Sequence, residues 1–330
     1  MEIVRFGASG LKVSRMALGT MTFGDMLDEA GSHQILQLAY ERGITLYDTA
    51  NQYNAGQSEE ILGRWIKTTK VRDRIVLASK VRYAVNGDPT TAGLTPKVIV
   101  SQLEASLRRL QTDYLDVYLL HQPDYDTPID VTWRCLDALV AAGKVRYIGL
   151  SNFAAWQIVE ATHIATRNGW VRPLITQFMY NSIARAPERE LLPMTQTYDL
   201  GNMIYNPLAG GLLSGKYRSD EDAKEGTRFA HNKMYRKRYW HPRQRDAADR
   251  LRQIAEDHGR TPVELALRFL LDAEGVHTIL LGATKLEQLD QNLDAMQSSP
   301  LTDSEREACE EVWQALQGPV PADHRSNADA

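Results

Sequence analysis

From residue 16 onward, short apolar runs alternate with longer segments whose apolar positions recur at helical spacing. The runs at 16–18, 45–47, 74–79, 116–120, 146–150, 174–178, 203–205 and 277–281 read as strands. The segments 32–42, 96–110, 129–142, 154–168, 188–198 and 262–271 between them read as helices. Local signals mark many boundaries. Thr95-Pro96 and Thr261-Pro262 pair an N-cap with a first-turn proline, Gly43, Gly143 and Gly169 stop helices, and Ser58 with Glu60 marks a further helix start. Such alternation predicts βα units around a parallel sheet. An open sheet of eight strands in one chain of this length would usually split or acquire a second domain. We therefore expect an α/β fold of the (β/α)8 TIM-barrel type.

The residues before 16 depart from this rhythm. Gly7-Ala8-Ser9-Gly10 lies between two short apolar runs and no helix follows it, which predicts a hairpin, not a phosphate loop, plugging the N-terminal end of the barrel. The stretch 216–245 after the seventh strand reads as one long loop. From 319 the chain is rich in Pro, Ala, Asp and Asn, so a single domain over 1–318 and a flexible tail over 319–330 are expected.

Composition narrows the function class. The 330 residues carry 38 Lys plus Arg against 42 Asp plus Glu, a net charge of -4, so no global positive field recruits nucleic acid or anionic membrane. No window reaches the roughly 18 uncharged apolar residues of a membrane helix, and the start lacks a signal-peptide pattern; a cytoplasmic location is expected. The two cysteines, Cys135 and Cys309, have no CxxC or Cys-His company and read as small hydrophobes. The expected partner is a small molecule, and a homo-oligomer stays open.

In a TIM barrel the active site forms at the C-terminal ends of the strands, so the polar residues closing each apolar run are the candidates. They are Asp48, Lys80, His121, Ser151, Asn152, Gln177 and Tyr205, with Tyr53 in the loop after Asp48. Each alone has a plain alternative: Asp48 as a turn residue, Lys80 and His121 as solvated strand ends, Tyr53 as loop packing. Together, barrel closure would gather a carboxylate, an ammonium, an imidazole and a phenol in one concave site. Buried Asp48 and Lys80 make sense there only as a pair. An ammonium beside a phenol favours phenolate, which makes Tyr53 a usable proton donor, while His121 could orient a carbonyl oxygen. No side chain supplies a hydride, so carbonyl reduction would need a cofactor. A metal-dependent hydrolase would need several His or Asp ligands at strand ends. Only His121 and Asp48 offer themselves, with Lys80 between them, and no metal is expected.

These residues lie in six ordered motifs: Tyr47-Asp48-Thr49-Ala50-Asn51-Gln52-Tyr53; Leu77-Ala78-Ser79-Lys80; Asp113-Tyr114-Leu115-Asp116-Val117-Tyr118-Leu119-Leu120-His121; Gly149-Leu150-Ser151-Asn152-Phe153; Tyr205-Asn206-Pro207-Leu208-Ala209-Gly210-Gly211-Leu212-Leu213-Ser214-Gly215-Lys216; and Leu281-Gly282-Ala283-Thr284-Lys285. In them the chain resembles the aldo-keto reductases over nearly its whole length. The resemblance implies a catalytic tetrad of Asp48, Tyr53, Lys80 and His121, with Tyr53 as the general acid in reduction. It also implies a nicotinamide cofactor bound without a Rossmann fold, consistent with the absence of a G-x-G-x-x-G after a strand. Ser151, Asn152 and Gln177 would hold the carboxamide and Tyr205 would stack on the nicotinamide. Gly19, Thr20, Met21 and Asp48 would border the cofactor, Asn206, Pro207, Leu208, Ala209, Gly210, Lys216 and Arg228 would follow the pyrophosphate, and Gly282, Thr284, Lys285, Gln288, Gln291 and Asn292 would take the adenosine end. A hydroxyl and an ammonium beside a helix N-terminus suit a 2'-phosphate, which favours NADPH over NADH.

Phe23, Tyr83, Tyr125 and Trp240, with Tyr53 and His121, are the candidate substrate-pocket residues. From 227 to 245 the long loop holds seven Lys or Arg, no acids, and Phe229, Tyr235, Tyr239 and Trp240, which reads as a lid over the cofactor or as a solvated basic insertion. The resemblance implies reduction of an aldehyde or ketone, with the runs at 106–113, 151–154 and 207–213 most like the bacterial branch of nucleotide-sugar and keto-sugar reductases. The alternative is a regulatory NADPH-binding subunit with slow turnover, since the potassium-channel beta subunits resemble this chain too. Those subunits carry an amide where this chain has His121, which favours the enzyme.

Overall fold

The computed structural model describes residues 1–219, 223 and 227–319. The described residues fall into two compact units: those of Met1–Tyr180, Ala186–Pro207 and Ala273–Gln297, and those within Asn181–Arg185, Leu208–Asp272 and Ser298–Ala330. In chain order the elements are β1 (Ile3–Arg5), β2 (Lys12–Ser14), β3 (Met16–Gly19), α1 (Glu29–Glu41), β4 (Leu46–Asp48), α2 (Gln57–Thr69), β5 (Val76–Val81), α3 (Pro96–Leu110), β6 (Leu115–Leu120), α4 (Ile129–Ala141), β7 (Val145–Ser151), α5 (Ala155–Asn168), β8 (Ile175–Met179), α6 (Leu191–Thr197), β9 (Gly201–Tyr205), α7 (Arg228–His231), α8 (Lys233–Tyr239), α9 (Pro242–Asp257), α10 (Pro262–Leu271), β10 (Thr278–Leu281), α11 (Leu286–Ala295) and α12 (Asp303–Gln317).

In the first unit, β3 to β10 close into a barrel in sequence order, every neighbouring pair parallel, with β10 returning to β3. This is the (β/α)8 architecture, and each of the eight predicted runs overlaps one of its strands. β1 and β2 form the predicted antiparallel hairpin. Its Phe6 is fully buried in a cluster with Val13, Ala17, Leu46, Val76, Val117, Ile175 and Met203, residues at or near the starts of their strands, so the hairpin caps the barrel floor. A Cβ at Gly201 would lie 2.6 Å from the Phe6 ring, so only glycine lets β9 pass so close to the plug.

Most local boundary signals act as expected. Thr95 caps α3 by accepting from the Val98 N–H, and Gly169 ends α5 in the left-handed region. Three expectations are corrected. α1 begins at Glu29, not 32, because Asp28 caps it by accepting from the Gly31 N–H. The helix expected over 188–198 is shorter, running over Leu191–Thr197 after a 3-10 turn at Ala186–Glu188. Ser58 does not cap α2: the helix begins at Gln57 after Gly56, and the fully buried Ser58 hydroxyl donates inward to the Thr20 carbonyl at 2.8 Å. A side chain facing the barrel cannot reach back to its own helix end.

The second unit corrects the reading of 216–245 as one loop. Asn232 accepts from the N–H groups of Met234 and Tyr235 and so starts α8, and His241 with Pro242 starts α9. Phe229, Tyr235 and Tyr239 are buried, and Tyr217, Phe229 and Trp240 form an aromatic cluster with ring centroids 4.8–5.4 Å apart. These rings build a small core of their own. α10 and α12 each begin with a capping box, Thr261 with Glu264 and Thr302 with Glu305. The buried Glu305 also pairs with Arg260. Of the tail expected over 319–330, all but residue 319 lies outside the described residues. Among the described residues no helix is long and apolar enough to cross a membrane.

Candidate active site

Strand register explains how residues far apart in sequence come together. Asp48, the last residue of β4, pairs in register with Ala78 of β5, so Lys80 stands two residues further toward the same barrel end. Lys80 pairs with Leu119 of β6, and His121 follows directly after that strand. Alternation along β5 puts Ala78 and Lys80 on one face of the strand and Leu77 and Ser79 on the other.

The Lys80 side chain is fully buried, and its three N–H donors are all used. They reach Asp48 Oδ2 at 2.5 Å, the Thr49 carbonyl at 2.8 Å and Tyr53 Oη at 3.3 Å. Burial pulls the ammonium below the ordinary lysine range, and the Asp48 carboxylate opposes that shift. Tyr53 opens a 3-10 turn, Tyr53–Gly56, in which Asn54 and Ala55 both take left-handed conformations. Asn54 Nδ2 donates to the carbonyls of Met21 and Phe23, tying this turn to the loop after β3.

His121 is 9% exposed. Burial, reinforced by the charge of Lys80, holds its imidazole well below the usual histidine range, so the ring is neutral at pH 7. Its Nδ1 is buried without a hydrogen-bond partner among the described residues. The ring sits edge-on between two phenols: its centroid is 5.9 Å from Tyr53 and 5.0 Å from Tyr83. Tyr83 Oη in turn donates to Gln122 Oε1.

A second layer of contacts surrounds these four. Gln177 on β8 donates from Nε2 to Asp48 Oδ1 at 2.9 Å, leaving its Oε1 as an acceptor. Asn152, at φ 61, donates to the His121 carbonyl and to Ser151 Oγ, and accepts from Tyr205 Oη at 2.6 Å. Gly19 pairs with Asp48 in register, and the buried Thr20 hydroxyl donates to the Asp48 carbonyl at 3.2 Å. Asp48, Tyr53, Lys80, His121, Ser151, Asn152, Gln177 and Tyr205 are thus linked by one chain of contacts, and Gly19, Thr20 and Met21 border it.

Other candidates are placed differently. Thr284 donates from both N–H and Oγ1 to Gln288 Oε1, Lys285 is the exposed N-cap of α11, Asn292 is buried, and Gln291 is exposed. Phe23 is fully buried and has no exposed surface to offer a substrate, whereas Tyr125 is 80% exposed. In the second unit, Gly210 and Gly211 take left-handed turns, the Arg228 guanidinium lies over the Tyr235 ring, Lys216 is exposed beside Tyr217, and Trp240 packs into the aromatic cluster. Among the described residues no three His, Cys, Asp or Glu gather as a metal site.

Sequence reading missed Glu59. It is fully buried, with Oε1 accepting from Ser79 Oγ at 2.5 Å and Oε2 accepting from Arg109 Nε at 2.7 Å. The available signal was its spacing: three and seven residues before Leu62 and Ile66, it shares their buried helical face.

Residues that fit a nicotinamide are present. A carboxamide needs both an acceptor and donors, and Gln177 Oε1 with the Ser151 hydroxyl provide that set. A Cβ on Gly282 would meet nothing within 4 Å among the described residues.

The family model for the aldo/keto reductase family matches residues 15–314. Aflatoxin B1 aldehyde reductase member 2 of Mus musculus is 36% identical over 319 residues, covering 92% of this chain and 86% of that protein. Aldo-keto reductase family 7 member A3 of Homo sapiens is 36% identical over 318 residues, covering 92% and 95%. A protein of Schizosaccharomyces pombe named for a voltage-gated potassium channel beta subunit is 36% identical over 300 residues, covering 88% and 87%. With the match spanning the barrel and all six motifs, the chain belongs to the aldo/keto reductase family.

Proposed function

We propose that this oxidoreductase reduces an aldehyde carbonyl to an alcohol with NADPH, Tyr53 donating the proton. The observation that carries the reading is the contact of one buried ammonium, Lys80, with both the Asp48 carboxylate and the Tyr53 phenol. A bound nicotinamide supplies the hydride. Tyr53 gives its phenolic proton to the carbonyl oxygen as charge develops there, and the Lys80 ammonium 3.3 Å away stabilises the phenolate left behind. Asp48 keeps that ammonium fixed and charged. The neutral His121 ring donates an N–H to the same oxygen, because an imidazole held below its usual range polarises a carbonyl without competing to protonate it.

Ser151, Asn152 and Gln177 would hold the carboxamide, with Tyr205 against the ring. The exposed Lys285 ammonium and the Thr284 hydroxyl at the start of α11 favour the 2'-phosphate of NADPH, and Gln288 and Asn292 the adenosine. Gly210 and Lys216 belong to the same proposal on the strength of their motif, and Arg228 on the family resemblance. So does the reading of 1–318 as one catalytic domain, which the unbroken family match over 15–314 supports.

Relatives named as aldehyde reductases favour an aldehyde, whereas the keto-sugar expectation rests on the runs at 106–113, 151–154 and 207–213. The similarity to a potassium-channel beta subunit supports a second reading, a cofactor-binding regulator with slow turnover. His121 argues against it.

The test is NADPH absorbance decay with a panel of aldehydes, ketones and keto-sugars, using wild type and Tyr53→Phe. Loss of about two to four orders of magnitude in kcat with NADPH binding retained supports the reductase. Tight NADPH binding by both proteins with no turnover supports the regulator, and absence of binding refutes both.

A further inference from the structure

The Lys80 and Tyr53 side chains must stay in contact for the reaction proposed above, yet they sit on very different supports. Lys80 is held by a central strand, while Tyr53 stands on a turn with two left-handed non-glycine residues. Asn54 anchors the front of that turn. Its rear end is Gly56, at φ 95, and a Cβ there would stand 2.8 Å from both Cδ and Nε of Arg109. The arginine stem therefore packs directly on the turn.

The Arg109 guanidinium continues inward. Its Nε donates to Glu59 Oε2, and Nη2 donates to Ser106 Oγ at 3.4 Å. Glu59, fully buried, spends its other oxygen on Ser79, the residue immediately before Lys80. One chain of contacts, Gly56 to Arg109 to Glu59 to Ser79, thus joins the turn that carries Tyr53 to the strand that carries Lys80. The Glu59 carboxylate, removed from water, carries a desolvation penalty that apolar packing would avoid, so its place here calls for a role other than stability.

We infer that the Glu59–Arg109 pair is a positioning device for the reaction: it sets the distance between the Tyr53 phenol and the Lys80 ammonium. This inference rests on the reductase reading. Asp48, Glu59 and Tyr205 all favour the charged form of Lys80, while the Lys80 charge disfavours protonation of His121. A phenol moved away from the Lys80 ammonium loses the charge that stabilises its phenolate and ionises at higher pH. Reduction needs the phenol protonated, so the rate then holds to higher pH.

The experiment measures kcat, KM and the pH profile of kcat with NADPH and 4-nitrobenzaldehyde for wild type, Tyr53→Phe, Glu59→Gln and the double variant Glu59→Gln/Arg109→Gln. NADPH affinity is followed by protein fluorescence. For Glu59→Gln we expect NADPH affinity and KM within about twofold of wild type and kcat down about a hundredfold, the scale of a misplacement near 1 Å. In the double variant, which changes no net charge, the high-pH limb should move to higher pH because the phenol has lost its ammonium neighbour, a change that loosened packing elsewhere would not produce. The double variant leaves no unpaired buried charge and serves if Glu59→Gln does not fold; it should show the same losses in smaller measure. Wild-type kcat and an unmoved limb in either folded variant, with Tyr53→Phe inactive, overturn the inference and leave the reductase standing. Full activity of Tyr53→Phe, or none in wild type, overturns the reductase reading and the positioning role with it.

Discussion

Gln177 Nε2 on β8 lies 2.9 Å from Asp48 Oδ1 on β4, a hydrogen bond that spans the barrel interior between strands with no register contact. Asp48 thereby divides its two oxygens between Lys80 and Gln177. The amide is locked with its Oε1 free, so the site proposed for proton transfer and the site proposed for the carboxamide share one carboxylate.

Gln177→Ala therefore loses a hydrogen bond to a charged group, worth about 1.5 to 3 kcal/mol, and also the free acceptor. We expect a lower urea midpoint together with weaker NADPH binding by about tenfold, read by fluorescence titration. Loss of stability with unchanged NADPH affinity would remove Gln177 from the cofactor site.

Lys80→Met leaves the Asp48 carboxylate buried beside an apolar side chain. Breaking a buried pair from one side costs about 3 to 5 kcal/mol. Lys80→Met/Asp48→Asn should be more stable than Lys80→Met despite carrying one more substitution, because no charge is stranded. Chemical denaturation of the three proteins decides this, and both variants should lack turnover.

His121 predicts how stability depends on pH. Its folded-state affinity for a proton is depressed by burial, so as pH falls below about 6.5 the unfolded chain takes up a proton that the folded chain refuses. Stability contributed this way is lost from about pH 6.5 downward and is unaffected above it. His121→Gln removes the effect, and its urea midpoint should fall less between pH 7 and pH 5 than that of wild type. Equal falls would mean that the imidazole protonates freely in the folded state.

Glu305 gives a second, more acidic window in the second unit. Burial would raise its carboxyl, but the Arg260 guanidinium and the Thr302 hydrogen bonds outweigh it and hold the group at about 2. A depressed carboxyl stabilises the fold above its ordinary range, and the contribution is lost as pH falls from about 4.5 toward 2. Glu305→Gln should cost about 2 to 3 kcal/mol at pH 7, and its deficit relative to wild type should shrink on acidification below pH 4.5.

Much of the architecture was legible because its signals are local. Thr95-Pro96 and Thr261-Pro262 start α3 and α10 through bonds within their own first turns, and Gly169 ends α5 by a backbone conformation of its own. Ser58 misled because a hydroxyl can cap its own helix or reach elsewhere, and it faces the Thr20 carbonyl. Composition does not say which rings of 227–245 bury one another: Trp240, a candidate pocket residue, packs its ring against those of Tyr217 and Phe229.

By itself, then, the sequence determined the alternation of strands and helices, the closed parallel barrel, and which polar residues stand at strand ends. Strand periodicity and the handedness of βα units leave few other solutions. Only the tertiary structure decided which of those polar groups share hydrogen bonds and which charges are buried. Gln177 with Asp48, 129 residues apart, and Arg109 with Glu59, 50 apart, meet only once the chain has closed. Their distances and their desolvation are properties of packing, and no segment of the chain encodes them locally.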